Sequence, residues 1–235
     1  KDDIDKWQIE QNYLRKLMKS SAESKNTIPR GEELSLWVFY CNDSRGRLGG
    51  TNALKYIQWG ETQGFHERST FNSKPRWYSI KSRTSPDLIL PKSINQIYRV
   101  FKNQLQVIVH QRLYECNLKD DYSEDLMHSL LNSTIVSFML ELGARTGLGQ
   151  GLLDMTVYEV ANVLIPNPDL FDSLPHFDRK VGLLDDEFMS QDRLDLDKII
   201  FKKIGLSDKE IIEFYESYKN VVYNRLGRSV SITNS

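Results

Sequence analysis

Hydrophobic and polar positions divide the chain into three regimes. Over residues 7–20, Trp7, Leu14, Leu17 and Met18 recur at helical spacing, which predicts an amphipathic helix. A polar stretch with Asn26, Pro29 and Gly31 ends it. Residues 34–41 (LSLWVFYC) are apolar almost throughout and rich in β-forming types, so they predict a strand covered on both faces. The loop CNDSRGRLGG follows, and Thr51 is placed to cap a short helix carrying Leu54 and Ile57 on one side.

From residue 75 to 116 the pattern shifts to short β-like runs: RWYSI, DLIL, IYRVF, LQVIVH and RLYEC. Pro75, Pro86, Pro91 and Asn103 punctuate them, so the middle third predicts a sheet built from neighbouring segments. After Tyr122 the period is helical again. Ser123 can cap a helix whose first turn holds Glu124 and Asp125, a favourable placement for the dipole. One apolar face (Met127, Leu130, Leu131, Ile135, Phe138, Met139, Leu142) predicts a single helix, stopped by Gly143. Beyond the glycine-rich segment GARTGLGQG, Thr156 and Glu159 have capping-box spacing, and IPNPDL must be extended around its prolines. Ser207 and Glu210 form a second box, opening a helix with Ile211, Ile212, Tyr215, Tyr218, Val222 and Leu226 on one side. The expected fold is α+β: a central mixed or antiparallel sheet flanked by helices from both ends of the chain. A boundary near residue 165 would separate residues 1–165 from a helical extension, 166–235, packed on them; a single domain fits equally.

Composition narrows the class. With 40% hydrophobic and 27% charged residues the chain can bury a core, and no apolar run approaches the roughly 18 residues of a membrane span. No basic-then-apolar leader opens it, so the expected location is the cytoplasm; a first residue of Lys1 rather than Met suits a piece of something longer. Two cysteines, Cys41 and Cys116, make neither a disulfide framework nor a zinc site, and the four histidines (His66, His110, His128, His176) lack metal-ligand spacing. No G-x-S-x-G, H-E-x-x-H, paired C-x-x-C or phosphate-loop motif is present. Gly147, Gly149 and Gly151 follow a helix, the reverse of the strand-to-helix order that a dinucleotide fingerprint needs. The cluster Asp185, Asp186 and Glu187 reads as a solvated charged face.

The net charge of -1 hides an asymmetry. Residues 45–112 carry 12 Lys+Arg against 3 Asp+Glu, and residues 113–235 carry 12 against 21. Such a basic third either forms a polyanion-binding surface or docks on the acidic C-terminal part of the same fold. On the first reading, Lys55, Arg68, Lys74, Lys81, Arg83 and Arg145 hold phosphate, and Arg76, Gln63 and Asn72 read base edges. Thr146 and Gln150 add donors to the glycine-rich segment, which is otherwise a helix cap and connector. Trp77 reads as core rather than stacking platform, while Arg76 and Tyr78 share a strand face opposite to it. Charge reversal at Lys81 and Arg83 is expected to weaken binding.

The order of TNALKYIQWGE, RWY, VIVHQRLYE, LLNSTIVSFMLEL, GARTGLGQGLLDMTVYEV and IPNP resembles the target-recognition region of adenine-specific DNA methyltransferases of restriction–modification systems. The tail RLDLDKIIFKKIGLSDKEIIEFYESYKNVVYNR is similar to the end of those enzymes. The resemblance implies a DNA-reading portion that positions duplex DNA for an upstream, S-adenosylmethionine-dependent catalytic domain, without a catalytic role for residues of this chain. Asn167-Pro168-Asp169 departs from the adenine-binding [N/D]-P-P-[Y/F] motif at its third residue, so no such role is carried onto it. Two alternatives stay open: a subunit like the type I specificity chains, whose helix and IP-x-P pattern is loosely similar, and a protein-interaction domain that binds no DNA.

Overall fold

Strand pairing, more than helix formation, organises the start of the chain. The computed structural model describes residues 2–71, 73–80, 84–119, 121–145 and 151–233. The helix predicted over 7–20 gives way to a short helix α1 (Asp2–Trp7), a 3-10 turn (Gln11–Tyr13) and a strand β1 (Leu14–Met18). Gln8, at a φ of 49°, interrupts the helix. Leu14 and Met18 satisfy a period of two as well as of four, and both are buried on one face of β1. Two partners then decide in favour of the strand. Antiparallel β2 (Leu36–Phe39) sets Leu14 opposite Phe39, and parallel β6 (Ile108–Val109) sets Leu17 opposite Ile108. The sheet order β2-β1-β6 leaves β2 at an edge with Leu36 exposed, so the expectation of a strand covered on both faces is corrected.

The middle third supplies a second, antiparallel sheet with β3 (Leu88–Pro91) between β5 (Phe101–Lys102) and β7 (Leu113–Cys116). A third pairs β4 (Ser93–Ile94) with β8 (Leu153–Asp154). The fold is therefore α+β, with its strands in three small sheets among the described residues rather than one. RWYSI is not a strand. Its described residues lie in turns, because side chains rather than a neighbouring strand anchor them: Trp77 Nε1 donates to Glu61 at 3.0 Å and Tyr78 Oη to the Asp43 carbonyl at 3.0 Å. The shared strand face expected for Arg76 and Tyr78 does not exist.

Short-range caps form as their spacing dictates. Thr51 Oγ1 accepts from Leu54 N at the start of α2 (Asn52–Thr62), and Ser123 caps α3 (Glu124–Leu131) through Leu126 N. The expected long helix breaks after α3 and resumes as α4 (Thr134–Gly143). At the break the Asn132 amide accepts from Val100 N and donates to Val100 O, both at 3.0 Å, mimicking a strand partner for the approach to β5. The Asp197 carboxylate then accepts from Thr134 N at 2.8 Å, capping the second helix from a distant segment. Thr156 and Glu159 close a capping box on α5 (Val157–Ala161).

After a 3-10 turn (Pro168–Leu170) come α6 (Leu184–Phe188), α7 (Gln191–Lys203) and α8 (Asp208–Thr233). Ser207 and Glu210 exchange the second box ahead of α8. Ile212 is exposed, so it leaves the apolar face that buries Tyr218 and Val222. The carboxylate run 185–187 is also corrected: Asp185 and Asp186 are exposed, but Glu187 is fully buried against Arg179 and Arg193. One large core joins Leu88 and Val100 to Leu130, Val136, Leu196 and Phe201. A separate core in the N-terminal lobe packs Tyr13, Leu14, Cys41, Leu48, Ala53 and Ile57 inside a rim of aromatic rings.

Candidate nucleic-acid interface

Helix α2 is pinned at both ends, which fixes what its last turn presents. At the N-terminus the Glu10 carboxylate accepts from Asn52 N at 2.7 Å and Ala53 N at 3.0 Å, beside the Thr51 cap. Burial pulls the Glu10 carboxyl upward, but these backbone bonds and the Lys55 charge outweigh it and leave it below its ordinary value. At the other end Gly60 leaves room for the Trp77 ring, since a Cβ there would lie 2.6 Å from Trp77 Cη2. Glu61 holds that ring through its indole N–H and also pairs with Arg45. Gly64, at a φ of 71°, reverses the chain into two 3-10 turns, Phe65–Glu67 and Ser69–Phe71.

These turns place cations over rings. The Arg68 guanidinium lies 4.7 Å from the Phe65 ring centre and Lys74 Nζ 5.4 Å from that of Phe71. Both pairs have the spacing aromatic-x-x-cation, a signal present in the sequence that a count of charges misses. Gln63 is exposed at the end of α2, and Arg76 is half-buried with its Nε unpartnered among the described residues. Lys55 is exposed on α2, its Nζ donating to Asn52 Oδ1 at 3.0 Å. Thus Gln63, Arg68, Lys74 and Arg76 belong to the end of α2 and the turns after it, with Lys55 further back on the helix. Arg145 is elsewhere: its backbone bridges Asp154 of β8 and its Nε pairs with Glu159 of α5 at 2.7 Å. Asn72, Lys81, Arg83, Thr146 and Gln150 lie outside the described residues.

The ion pairs that the described carboxylates of the acidic C-terminal part do form go mostly to its own cations or to Arg30. Asp178 pairs with Arg30, Glu187 and Asp192 with Arg179, Asp185 with Lys219, and Glu141 with Arg225. Within residues 45–112, Lys102 is the described cation that it does neutralise, through Glu124 at 3.6 Å and Asp125 at 2.8 Å. Lys55, Arg68, Lys74 and Arg76 form no ion pair among the described residues. Nothing in the described part groups three or more metal-ligating side chains, and no described helix is long and apolar enough to cross a membrane.

Comparison with curated proteins finds no match to this chain. Comparison with protein families matches residues 10–199 to the family described as Type II methyltransferase M.Eco57I, C-terminal domain. That span covers β1 to β8 and all helices from α2 to α6, ending within α7, so the chain belongs to the family of M.Eco57I-type C-terminal domains of type II methyltransferases.

Proposed function

We propose that this chain is the DNA-binding, target-recognition portion of a site-specific adenine N6-methyltransferase of a restriction–modification system, acting in the cytoplasm. It grips and orients duplex DNA while a covalently linked upstream domain supplies S-adenosylmethionine and the methyl transfer. The family supports the methyltransferase context. The observation that carries the DNA reading is that Arg68, Lys74 and Arg76 gather around the end of α2 and form no ion pair among the described residues. Lys55, Arg68 and Lys74 suit phosphate, which fixes register, and Arg76 and Gln63 suit base edges, which specify sequence. The cofactor is assigned to the upstream domain, because in sequence the glycine segment runs from α4 to β8, the reverse of the strand-to-helix order that a dinucleotide fingerprint needs.

The test is a salt titration of the full-length protein on a duplex. Three phosphate contacts predict a fall in affinity of about fortyfold between roughly 50 and 200 mM salt. Arg68→Glu with Lys74→Glu should weaken binding and flatten that slope. Unchanged affinity and slope in the double variant would reject the assignment of this surface.

A further inference from the structure

Between α2 and the turns that follow it, the N-terminal lobe opens into a cleft of about 250 Å³. Of the rings that line it, five fall into two groups, with Phe39 and Tyr78 beside them. Tyr56, Trp59 and Phe65 form one wall, Tyr56 stacked on Trp59 at 5.5 Å and Trp59 edge-to-face with Phe65 at 5.7 Å. Phe71 and Trp77 form the other, edge-to-face at 6.0 Å. Each wall carries its own cation, Arg68 over Phe65 and Lys74 over Phe71. The described lining of the cleft includes no carboxylate, and the Ser79 hydroxyl in it already donates to the Arg76 carbonyl at 2.8 Å.

That combination selects a ligand. Flat aromatic faces attract a planar heterocycle by stacking, and the two cations attract negative charge beside it. A purely apolar side chain would fill the cleft but leave both cations unmatched. An unstacked nucleotide matches all of it, with a π-face for the rings and phosphates for Arg68 and Lys74. With few free polar groups in the lining, little is left to read the edge of the base, so stacking would accept more than one base type.

We infer that this cleft takes the base of one unstacked nucleotide of the bound DNA, between the two ring walls, while Arg68 and Lys74 meet the adjoining phosphates. This rests on the DNA-binding function proposed for the chain and adds a contact that depends on the base rather than on charge.

The test compares two duplexes of equal charge in anisotropy titrations of the full-length protein. One carries a single unpaired thymidine and the other an abasic spacer at that position; both are scanned across the target. At the position that reaches the cleft, the base should bind about tenfold more tightly than the spacer, the scale of one base–aromatic stack. Phe65→Leu with Phe71→Leu should bring that ratio close to one. A ratio near one at every position in the unmodified protein overturns the cleft assignment while leaving intact-duplex binding in place. No binding to any duplex at low salt overturns the DNA reading as well. Should the double variant not fold, tryptophan emission of the unmodified protein decides: quenching by the thymidine duplex but not by the spacer supports the cleft, and equal response rejects it.

Discussion

Arg193 and Glu187, both entirely shielded from solvent, meet Nε to Oε2 at 2.6 Å. Arg179 Nη1 reaches the same oxygen at 2.5 Å, and Gly182 N donates to the other at 2.7 Å. Arg193 Nη1 donates to the Asn132 carbonyl at 2.7 Å, so the pair ties α6 and α7 to the break between α3 and α4. Burial alone would raise the Glu187 carboxyl; the Arg193 charge and the hydrogen bonds outweigh it, and its pKa lies below the ordinary 4.5.

The first prediction follows from that burial. Arg193→Met leaves Glu187 in the interior with one cation fewer, and breaking a buried pair this way costs about 3–5 kcal/mol. Adding Glu187→Met should recover part of the loss, since the Glu187 charge is then gone and Arg179 keeps Asp192 at 2.7 Å, while buried Asp197 still lacks the Arg193 charge and keeps the recovery incomplete. Urea unfolding of both variants checks this; additive losses would show that the two side chains act independently. The sign of the pH dependence is also set. A lowered carboxyl pKa means that the unfolded chain binds more protons, so this contribution is present above pH 4.5 and lost as the pH falls through the folded pKa.

The second prediction concerns His128, buried in α3 with Nε2 3.1 Å from the Thr27 carbonyl. Burial pushes its pKa down from 6.5 to about 4, more than the backbone contacts raise it. The unfolded chain takes up this proton first. Stability should therefore fall as the pH drops from 6.5 towards 4, on top of the carboxylate effect. His128→Asn should show a smaller drop in urea midpoint between those limits. An identical drop would remove His128 as the source.

What the sequence made readable was local. The Ser123, Thr156 and Ser207 caps involve partners three residues away, and each forms as its spacing predicts. Strand β1 was not readable, because helix and strand patterns both fit Leu14 and Met18 and the decision lay with β2 and β6. The break after α3 depends on Val100 and Asp197, and the burial of Glu187 on Arg179 and Arg193; none of these is visible in a hydrophobic period. At the site, the basic excess was plain from composition. The rings that carry Arg68 and Lys74 were not, because a cation three residues after a phenylalanine gains meaning only once a 3-10 turn stacks them.

The third prediction sets helix propensity against packing. In an exposed helix, replacing glycine by alanine gains about 1 kcal/mol. At Gly60 the added Cβ would meet Trp77 Cη2 at 2.6 Å, and that ring is held by Glu61 and by edge contacts with Phe71 and Tyr78. Overpacking should win, with Gly60→Ala destabilised by about 1–3 kcal/mol in thermal or urea unfolding. A stabilised variant would mean that Trp77 moves aside freely.

The last prediction separates two arginines that sequence alone treats alike. Arg145 is engaged with Glu159, whose carboxylate also accepts from Thr156 N at 2.6 Å and Oγ1 at 2.9 Å, so withdrawing Arg145 towards a phosphate breaks an ion pair already formed. Arg68 meets only a ring face among the described residues, and a phosphate can approach without displacing a carboxylate. Arg68→Ala should therefore weaken duplex binding more than Arg145→Ala does. It should also lower the slope of log affinity against log salt by about one, because one phosphate keeps its counterion. Arg145→Ala frees the Glu159 charge on the surface, so its effect on binding should come mainly through that added negative field and fade at high salt. Parallel titrations of the two variants read both quantities. Equal losses with equal slopes would place Arg145 against DNA and reverse the ranking drawn from its ion pair.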